Sequence, residues 1–268
     1  MEELSFKEKT IRYDVQGSGP AVFLLHGYLE SLEIWEDFAQ ELAGEYKVIR
    51  MDLPGHGKSQ VVDDVHSMEL LAEAARQVLD AAGVDRCTLV GHSLGGYVTL
   101  AFLDLYPGRL NGFSLFHSHP FADKKQVREK RQGEIDLVRQ GRKDEIFDVN
   151  VPKLFADDNL QAFSPQVEWV RGIAESTPGE GIIANLRGMM ERPDRSGLVA
   201  STTKPFRMVA GKKDKYINYQ TVVPAIPIPQ KGELIALENS GHLGFIEEKA
   251  RSLEIFRHFL AEAAKNRG

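Results

Sequence analysis

Residues 84–106 read VDRCTLVGHSLGGYVTLAFLDLY, and this stretch decides the predicted fold. The apolar run at 87–90 favours a short buried strand, and an apolar pattern with helical spacing follows. Between the two, Gly91 and Gly95 lie two residues before and two residues after Ser93. In so tight a turn, a Cβ atom at either glycine would collide with neighbouring backbone. The stretch therefore predicts a strand, a sharp turn and a helix.

Ser93 is the predicted nucleophile at this turn. Its place at the start of a helix puts it beside unpaired backbone N–H groups and the positive end of the helix dipole, which favour a developing anion. The alternative is an incidental serine in a glycine-rich connection, and the pentapeptide GHSLG alone does not exclude it. Other segments of the chain decide between the two.

The composition is that of an ordinary soluble globular protein of 268 residues, with 42% hydrophobic and 27% charged residues. The formal net charge of −6 gives no electrostatic reason to expect nucleic acid or an anionic membrane as a partner. Cys87 is the only cysteine, which excludes intramolecular disulfides and fits a reducing compartment. Neither a signal peptide nor an apolar run of membrane-spanning length is evident, so we expect a cytoplasmic protein.

Short apolar runs alternate with amphipathic helical patterns through the first third of the chain. The runs at 21–25 and 47–51 have the length of strands covered on both faces, and an apolar stripe with helical spacing lies between 67 and 83. An edge hairpin is expected over 5–16. The alternation predicts βαβ units and a mostly parallel sheet with helices on both faces.

The alternation breaks after a strand predicted at 112–116 and resumes near residue 205. The segment in between is charged and helix-prone, without a strand signal of comparable quality. We therefore predict a helical insertion that lies over the sheet. The expected division is an α/β core of residues 1–117 and 202–268 and a helical cap, or lid, of residues 118–201.

A serine nucleophile needs a base to take its proton and a third group to orient that base. His242 is the predicted base because it follows a strand in a flexible Ser-Gly turn; an exposed loop histidine is the alternative. Asp214 is the predicted orienting carboxylate, which gives the chain order Ser, Asp, His of a nucleophile elbow. Its lysine neighbours leave a surface charge run as the alternative, and Glu238 is the second candidate for the orienting role.

The tetrahedral intermediate of acyl transfer carries an oxyanion that needs two aimed donors. The N–H of Leu94, directly after the nucleophile, is the first predicted donor. The N–H of Tyr28, just beyond the strand at 21–25, is the second. The side chains of His26 and His92 are expected to be structural.

The pocket beneath the cap is predicted less sharply. His119 is expected to line its mouth and to offer a hydrogen bond to substrate. Trp169, Met189 and Met190 are expected in the cap core, with one or more of them facing the acyl pocket. A metal site at His117 and His119 is not predicted, because neither cysteine nor a carboxylate set accompanies the two histidines.

Five segments, in matching order and spacing, resemble the α/β-hydrolase fold family over almost the whole chain outside the insertion. They are HGYLES from His26, DLPGHGKS from Asp52, GHSLGG around Ser93, GKKD ending at Asp214 and NSGHLGF around His242. The resemblance implies an eight-stranded, mostly parallel sheet flanked by helices, with a helical cap inserted after the sixth strand. It also implies Ser93, His242 and Asp214 as catalytic residues and Tyr28 and Leu94 as the oxyanion hole.

The leading hypothesis is a serine hydrolase that cleaves a small carboxylic ester through an acyl-enzyme intermediate, without a cofactor. A small-molecule substrate is the expected partner. One alternative is cleavage of a C–C, lactone, thioester or amide bond by the same triad. The other is a ligand-binding, receptor-like protein that retains the triad.

Overall fold

The computed structural model describes residues 1–265, and within them the strands form one sheet. The strands are β1 (Glu2–Phe6), β2 (Lys9–Gln16), β3 (Ala21–Leu25), β4 (Lys47–Met51), β5 (Cys87–His92), β6 (Leu110–Phe116), β7 (Phe206–Gly211) and β8 (Gly232–Leu237). Their order across the eight-stranded sheet is β1-β2-β4-β3-β5-β6-β7-β8. The β1–β2 and β2–β4 pairs are antiparallel, and all the pairs from β4 to β8 are parallel. The predicted mostly parallel sheet is confirmed.

Helices cover both faces of the sheet. Those of the described chain are α1 (Glu36–Leu42), α2 (Met68–Ala81), α3 (Leu94–Leu105), α4 (Lys125–Arg139), α5 (Asp144–Asn150), α6 (Ser164–Glu175), α7 (Gly179–Glu191), α8 (Ser196–Ser201), α9 (Gly244–Glu247) and α10 (Lys249–Lys265). Helix α3 packs with α2, and α10 packs with α1, while both α3 and α10 contact β5 and β6. None of these helices combines the length and the apolar character that crossing a membrane requires.

The central strands are apolar throughout because helices shield them on both faces. Every residue of β5 and of β7 is buried, and β3 and β4 are buried apart from their first residues. The predictions for 21–25 and 47–51 are confirmed residue for residue. The strand before the sharp turn extends to His92, two residues beyond the predicted apolar run.

The edge hairpin begins earlier than predicted. Its first strand starts at Glu2, and the pairing of Leu4 with Ile11 lies inside a regular antiparallel ladder. Four of the five residues of β1 are polar or exposed to some degree, as suits an edge strand. Such a strand carries little apolar periodicity, so the sequence pattern starts too late.

Helices α4–α8 lie between β6 and β7, where the sequence predicts a helical insertion. The insertion contacts the loop of His242, whose N–H donates to the carbonyl of Leu154 over 2.7 Å. It also contacts the loop after β4, since the amide of Asn185 donates to the carbonyl of Pro54 over 3.0 Å. The helical segment therefore lies over the edge at which the parallel strands end.

Candidate active site

Ser93 occupies a strained turn between β5 and α3. Its backbone has φ 49° and ψ −112°, a region that non-glycine residues rarely adopt. A Cβ at Gly91 would overlap the carbonyl of Gly95, and one at Gly95 would overlap the carbonyl of Leu25. Ser93 is partly exposed, whereas residues 91–92 and 94–100 are buried. The turn thus presents one side chain and encloses its neighbours, as the glycine spacing predicts.

The turn is fixed to the end of β6 by two hydrogen bonds. The N–H of Ser93 donates to the carbonyl of Phe116 over 3.0 Å. The hydroxyl of Ser118 donates to the carbonyl of Ser93 over 2.7 Å. These bonds hold the strained peptide from both sides, so the direction of the Ser93 side chain is set by the sheet.

Asp214 and His242 form a buried hydrogen-bonded pair. The His242 Nδ1 lies 2.7 Å from Asp214 Oδ2, and Asp214 Oδ1 accepts from the N–H groups of Tyr216 (2.7 Å) and Ile217 (2.9 Å). Burial alone would raise the pKa of Asp214, but the two histidines at Oδ2 lower it below its ordinary value. Burial would lower the pKa of His242, and the Asp214 carboxylate raises it above its ordinary value. The pair therefore holds an ionised carboxylate against a ring that it makes more basic.

A second histidine reaches the same carboxylate oxygen. His117 Nδ1 lies 3.2 Å from Asp214 Oδ2 and 3.2 Å from the N–H of Gly211. Burial lowers the pKa of His117 to about 4, against the opposing effect of Asp214, so the ring is neutral at physiological pH. Sequence reasoning assigned no such role to His117. It follows β6 directly and meets Asp214 only through the sheet.

Ser93 and His242 line one cavity of about 110 Å³, together with Tyr28 and Glu30. Within residues 1–265 the hydroxyl of Ser93 makes no hydrogen bond to the ring. In ligand-free active sites this contact is often long and tightens only with substrate present. The arrangement thus brings the three sequence-predicted residues to one place, with the ring Nε2 as the nitrogen left for Ser93.

Two backbone N–H groups near Ser93 are available to a ligand. In the described part of the chain, the N–H groups of Tyr28 and Leu94 donate to no other protein group. Leu94 is the first residue of α3, where a helical N–H has no partner within the helix. Tyr28 precedes Leu29, whose φ of 63° turns the chain sharply after β3. These are the donors that the sequence predicts for an oxyanion.

Glu30 and His92 tie the turn to the loop of His242, a link that sequence reasoning missed. Glu30 accepts from the N–H of Gly27 over 2.6 Å and lies 3.0 Å from Nδ1 of His92. The other ring nitrogen of His92 lies 2.9 Å from the carbonyl of His242. Burial would raise the pKa of Glu30, but His92 and the Gly27 N–H lower it below its ordinary value. Glu30 is therefore a buried anion that connects the loop of Tyr28, a predicted oxyanion donor, through His92 to the loop of His242, the predicted base.

His26 is structural, as expected. The N–H of Leu53 donates to His26 Nε2 over 2.9 Å, so the ring proton is on Nδ1, which donates to the carbonyl of Gly27 over 2.8 Å. Both nitrogens are thereby used. The ring fixes the end of β3 to the loop after β4.

Ser93 also lines a second cavity, of about 420 Å³. Ser93, Val127, Arg131 and Tyr216 line both cavities. The larger one adds polar groups at Tyr97 and His119 and apolar walls that include Phe121, Ile217 and Val222. The serine therefore lines both a small compartment and a larger one.

The expectation that one or more of Trp169, Met189 and Met190 faces the acyl pocket is not met in the two cavities that contain Ser93. Trp169 is 41% exposed and lines clefts on the outer surface, because Val170 and Ile173 form the inward face of α6. Met189, a residue of α7, is buried in the core, and Met190 is partly buried against that core. Neither methionine lines a cavity that contains Ser93.

His119 does line the larger cavity, but its ring nitrogens have protein partners. Nδ1 accepts from the N–H of Phe121 over 3.2 Å, and Nε2 lies 3.3 Å from the hydroxyl of Tyr97. Glu238, the second candidate for the orienting carboxylate, is exposed and pairs with Lys212. The carboxylate that reaches His242 is Asp214.

The only described cluster with metal-ligand chemistry, within residues 1–265, is His117, Asp214 and His242, whose ligand atoms lie within 4.8 Å of one another. Both rings direct Nδ1 at Asp214 Oδ2. The atoms that would bind an ion are thus engaged with each other, and the cluster fits a hydrogen-bonded network better than a metal centre.

The comparisons with known proteins agree on one fold. A family model described as the alpha/beta hydrolase fold matches residues 20–249. A solved structure of a thermophilic esterase from Thermogutta terrifontis, in a malate-bound form, has a TM-score of 0.91 and 27% identity, covering 98% of this chain and 99% of that one. The pimeloyl-(acyl-carrier protein) methyl ester esterase of Aeromonas hydrophila is 26% identical over 261 residues, 91% of this chain and 96% of the relative. An uncharacterised Mycobacterium tuberculosis protein is 37% identical over 95 residues, and the match spans 28% of that protein's length.

Proposed function

Because the chain belongs to the α/β-hydrolase fold family, we propose that it is a serine hydrolase that cleaves a small carboxylic ester through an acyl-enzyme intermediate. The chain is a hydrolase by its family and its relatives. The preference for esters is supported by the two esterases to which it is similar over nearly its whole length. Ser93 as the nucleophile is supported by the geometry of the site.

The observation that carries the proposal is the convergence of Ser93, His242 and Asp214. Ser93 projects from a strained turn into a cavity that His242 also lines, and the far side of the His242 ring lies 2.7 Å from Asp214. A structural serine would have no need of a strained backbone, an adjacent imidazole and an ionised carboxylate behind it. Acyl transfer needs all three.

In the proposed reaction, Ser93 Oγ attacks the carbonyl carbon of the ester while its proton passes to Nε2 of His242. The tetrahedral oxyanion accepts hydrogen bonds from the N–H groups of Tyr28 and Leu94. The bond to the leaving alcohol breaks as His242 returns the proton to the alcohol oxygen, which leaves Ser93 acylated. Water then attacks with the help of His242, the acid departs, and Ser93 regains its proton.

Asp214 keeps the proton of the His242 ring on Nδ1 and stabilises the imidazolium that forms. The helical insertion, which we assign to a cap of residues 118–201, supplies Val127 and Arg131 to the walls of both cavities. The cap therefore selects the substrate, while the sheet supplies the catalytic groups.

The test is hydrolysis of p-nitrophenyl butyrate by the Ser93→Ala variant. We expect kcat to fall by at least about 10³-fold, because the remaining site offers only the oxyanion donors and binding. Ser201→Ala, at an exposed serine outside both cavities, is the matched control and retains full activity. Near-normal turnover by a folded Ser93→Ala protein would overturn the assignment of the nucleophile.

A further inference from the structure

The charged side chains in and behind the wall of the larger cavity carry more positive than negative charge: Asp123 and Arg131 line this cavity, and Arg192 lines a small neighbouring one. Asp123 pairs with two arginines: its Oδ2 lies 2.7 Å from Nε of Arg131, and its Oδ1 lies 2.8 Å from a terminal nitrogen of Arg192. Both carboxylate oxygens are used, and one carboxylate cannot neutralise two guanidinium groups. The Asp123 side chain is 2% exposed, the Arg192 side chain 3% and the Arg131 side chain 16%, so water offsets little of the excess.

Arg192 cannot resolve the imbalance by itself. Its guanidinium lies over the ring of Tyr97, 3.8 Å from the ring centroid, and two of its buried nitrogens have no hydrogen-bond partner. An aromatic face stabilises a cation without cancelling its charge. A buried cation that lacks a full counter-charge is costly, so the cluster attracts an anion.

The other charged groups around the two cavities add to the excess or have partners of their own; Glu30, at the smaller cavity, accepts from the N–H of Gly27 and lies 3.0 Å from Nδ1 of His92. Lys124 lines the larger cavity and adds to the excess. Glu134, at the smaller cavity, lies 3.8 Å from Lys130 and accepts from the amide of Asn150, so its charge is matched locally. Asp194, whose charge acts on His119, is exposed and accepts a hydrogen bond from Ser196.

Arg131 is the member of the cluster that a ligand can reach. It lines both cavities, as Ser93 does, and Asp123 engages its Nε atom. The two terminal nitrogens of its guanidinium are the fork that binds carboxylates. Arg131 therefore offers charge and paired donors within the same space as the nucleophile.

Tyr97 supplies a further donor to this cavity. The N–H of Phe121 donates to His119 Nδ1, which places the proton of the neutral ring on Nε2. Burial, followed by the effect of Arg192, lowers the pKa of His119 to about 3, so the ring stays neutral. Nε2–H then donates to the Tyr97 oxygen over 3.3 Å. The hydrogen of the Tyr97 hydroxyl is left free to point into the cavity.

We infer that the larger cavity binds a carboxylate of the substrate, held by the guanidinium of Arg131 and the hydroxyl of Tyr97. The inference rests on the proposed ester hydrolysis at Ser93 and specifies its substrate class: half-esters of short dicarboxylic acids. Because Ser93 and Arg131 line the same two cavities, an ester bound at Ser93 shares its space with the guanidinium that would hold its carboxylate. Val127, Ile217 and Val222 give the intervening methylene groups an apolar wall.

The test compares monomethyl glutarate with methyl glutaramate, its neutral amide isostere. We expect the wild-type protein to prefer the anionic ester by at least 10-fold in kcat/KM, as a desolvated charge pair requires. Arg131→Met should lower that preference by at least 10-fold, and Tyr97→Phe should lower it by about threefold. Arg128→Met, at an exposed arginine of the same helix, is the matched control and should leave the preference unchanged.

If Arg131→Met fails to fold, Arg131→Lys serves instead, because it keeps a positive charge beside Asp123. The loss of the paired guanidinium donors should still lower the preference for the anionic ester. Equal or better turnover of the amide by the wild-type protein would overturn the inference, as would a preference that survives in the folded Arg131 variants. Calorimetric binding of glutarate to Ser93→Ala separates the two claims. Glutarate binding to Ser93→Ala that is lost when Arg131→Met is added supports the carboxylate site even if the proposed hydrolysis fails. Wild-type hydrolysis of p-nitrophenyl butyrate without any preference for the anionic ester contradicts the carboxylate site and leaves the proposed hydrolysis standing.

Discussion

Ser93 holds a backbone conformation that costs a non-glycine residue about 1–3 kcal/mol. Its φ of 49° persists because the peptide is held by Phe116 on one side and by Ser118 on the other. The glycines on either side allow β3 and the start of α3 to approach closely. The strained backbone conformation directs the Ser93 hydroxyl into a cavity that His242 also lines.

Asp214→Asn tests the link between the carboxylate and the base. Asp214 raises the pKa of His242, and only the neutral ring accepts a proton, so wild-type kcat/KM should rise with pH through an apparent pKa above 6.5. Without the carboxylate, that apparent pKa should move to lower pH, and kcat should fall by about 10⁴-fold. The pH profile of p-nitrophenyl butyrate hydrolysis measures both changes.

Glu238→Gln is the matched control, because Glu238 is an exposed carboxylate that pairs with Lys212. It should leave the pH profile where it is. A profile that shifts with Glu238→Gln and stays fixed with Asp214→Asn would reverse the assignment of the orienting residue.

Residues close to a motif were predictable, and those joined only by the fold were not. Ser93, Asp214 and His242 each follow a strand signal with a turn, and the structure places them together. His117 reaches Asp214 across 97 positions of sequence, and Glu30 reaches His92 across 62. Contacts of that range leave no local pattern, so sequence reasoning found no role for either residue.

At the scale of elements, burial decided what could be predicted. Strands covered on both faces, such as β3 and β4, are continuous apolar runs with clear ends. The exposed edge strand β1 lacks that signal. In the insertion, the sequence predicts helices but not their orientation, because an amphipathic pattern does not identify the element against which its apolar face packs. Trp169 is an example, since the sequence predicts it in the cap core and the structure has it on the outer surface.

Gly188→Ala tests whether the close approach of α7 to the backbone of His66 stabilises the fold. A Cβ at Gly188 would overlap the carbonyl of His66, which is backbone and cannot move aside cheaply. We expect the free energy of unfolding to fall by about 1–3 kcal/mol, as for other overpacked sites. Urea denaturation measures the change.

Gly133→Ala is the control in another helix of the insertion, since no atom lies within 4 Å of its added Cβ. It should raise the free energy of unfolding by about 0.5–1 kcal/mol, because alanine is the better residue inside a helix. Equal stability of Gly188→Ala and the wild-type protein would show that α7 is not held by this close approach.

At the scale of the molecule, the sheet assembles the site. Tyr28, Ser93, His117, Asp214 and His242 come after the carboxyl ends of β3, β5, β6, β7 and β8, which are consecutive neighbours in the sheet. Parallel strands bring these ends to one edge, where ligands bind in open α/β sheets. The helical insertion leaves the chain at β6 and returns at β7, so it is anchored at that same edge. In the proposed function, catalytic groups from the sheet and substrate-binding groups from the insertion therefore meet at Ser93.

The most direct test of the central claim is the site of covalent labelling by a fluorophosphonate, mapped by peptide mass spectrometry. We expect one adduct, on Ser93, absent from Ser93→Ala and formed far more slowly in His242→Ala because the hydroxyl then lacks its base. A folded wild-type protein that stays unlabelled, or that carries the adduct on another residue, would contradict the account.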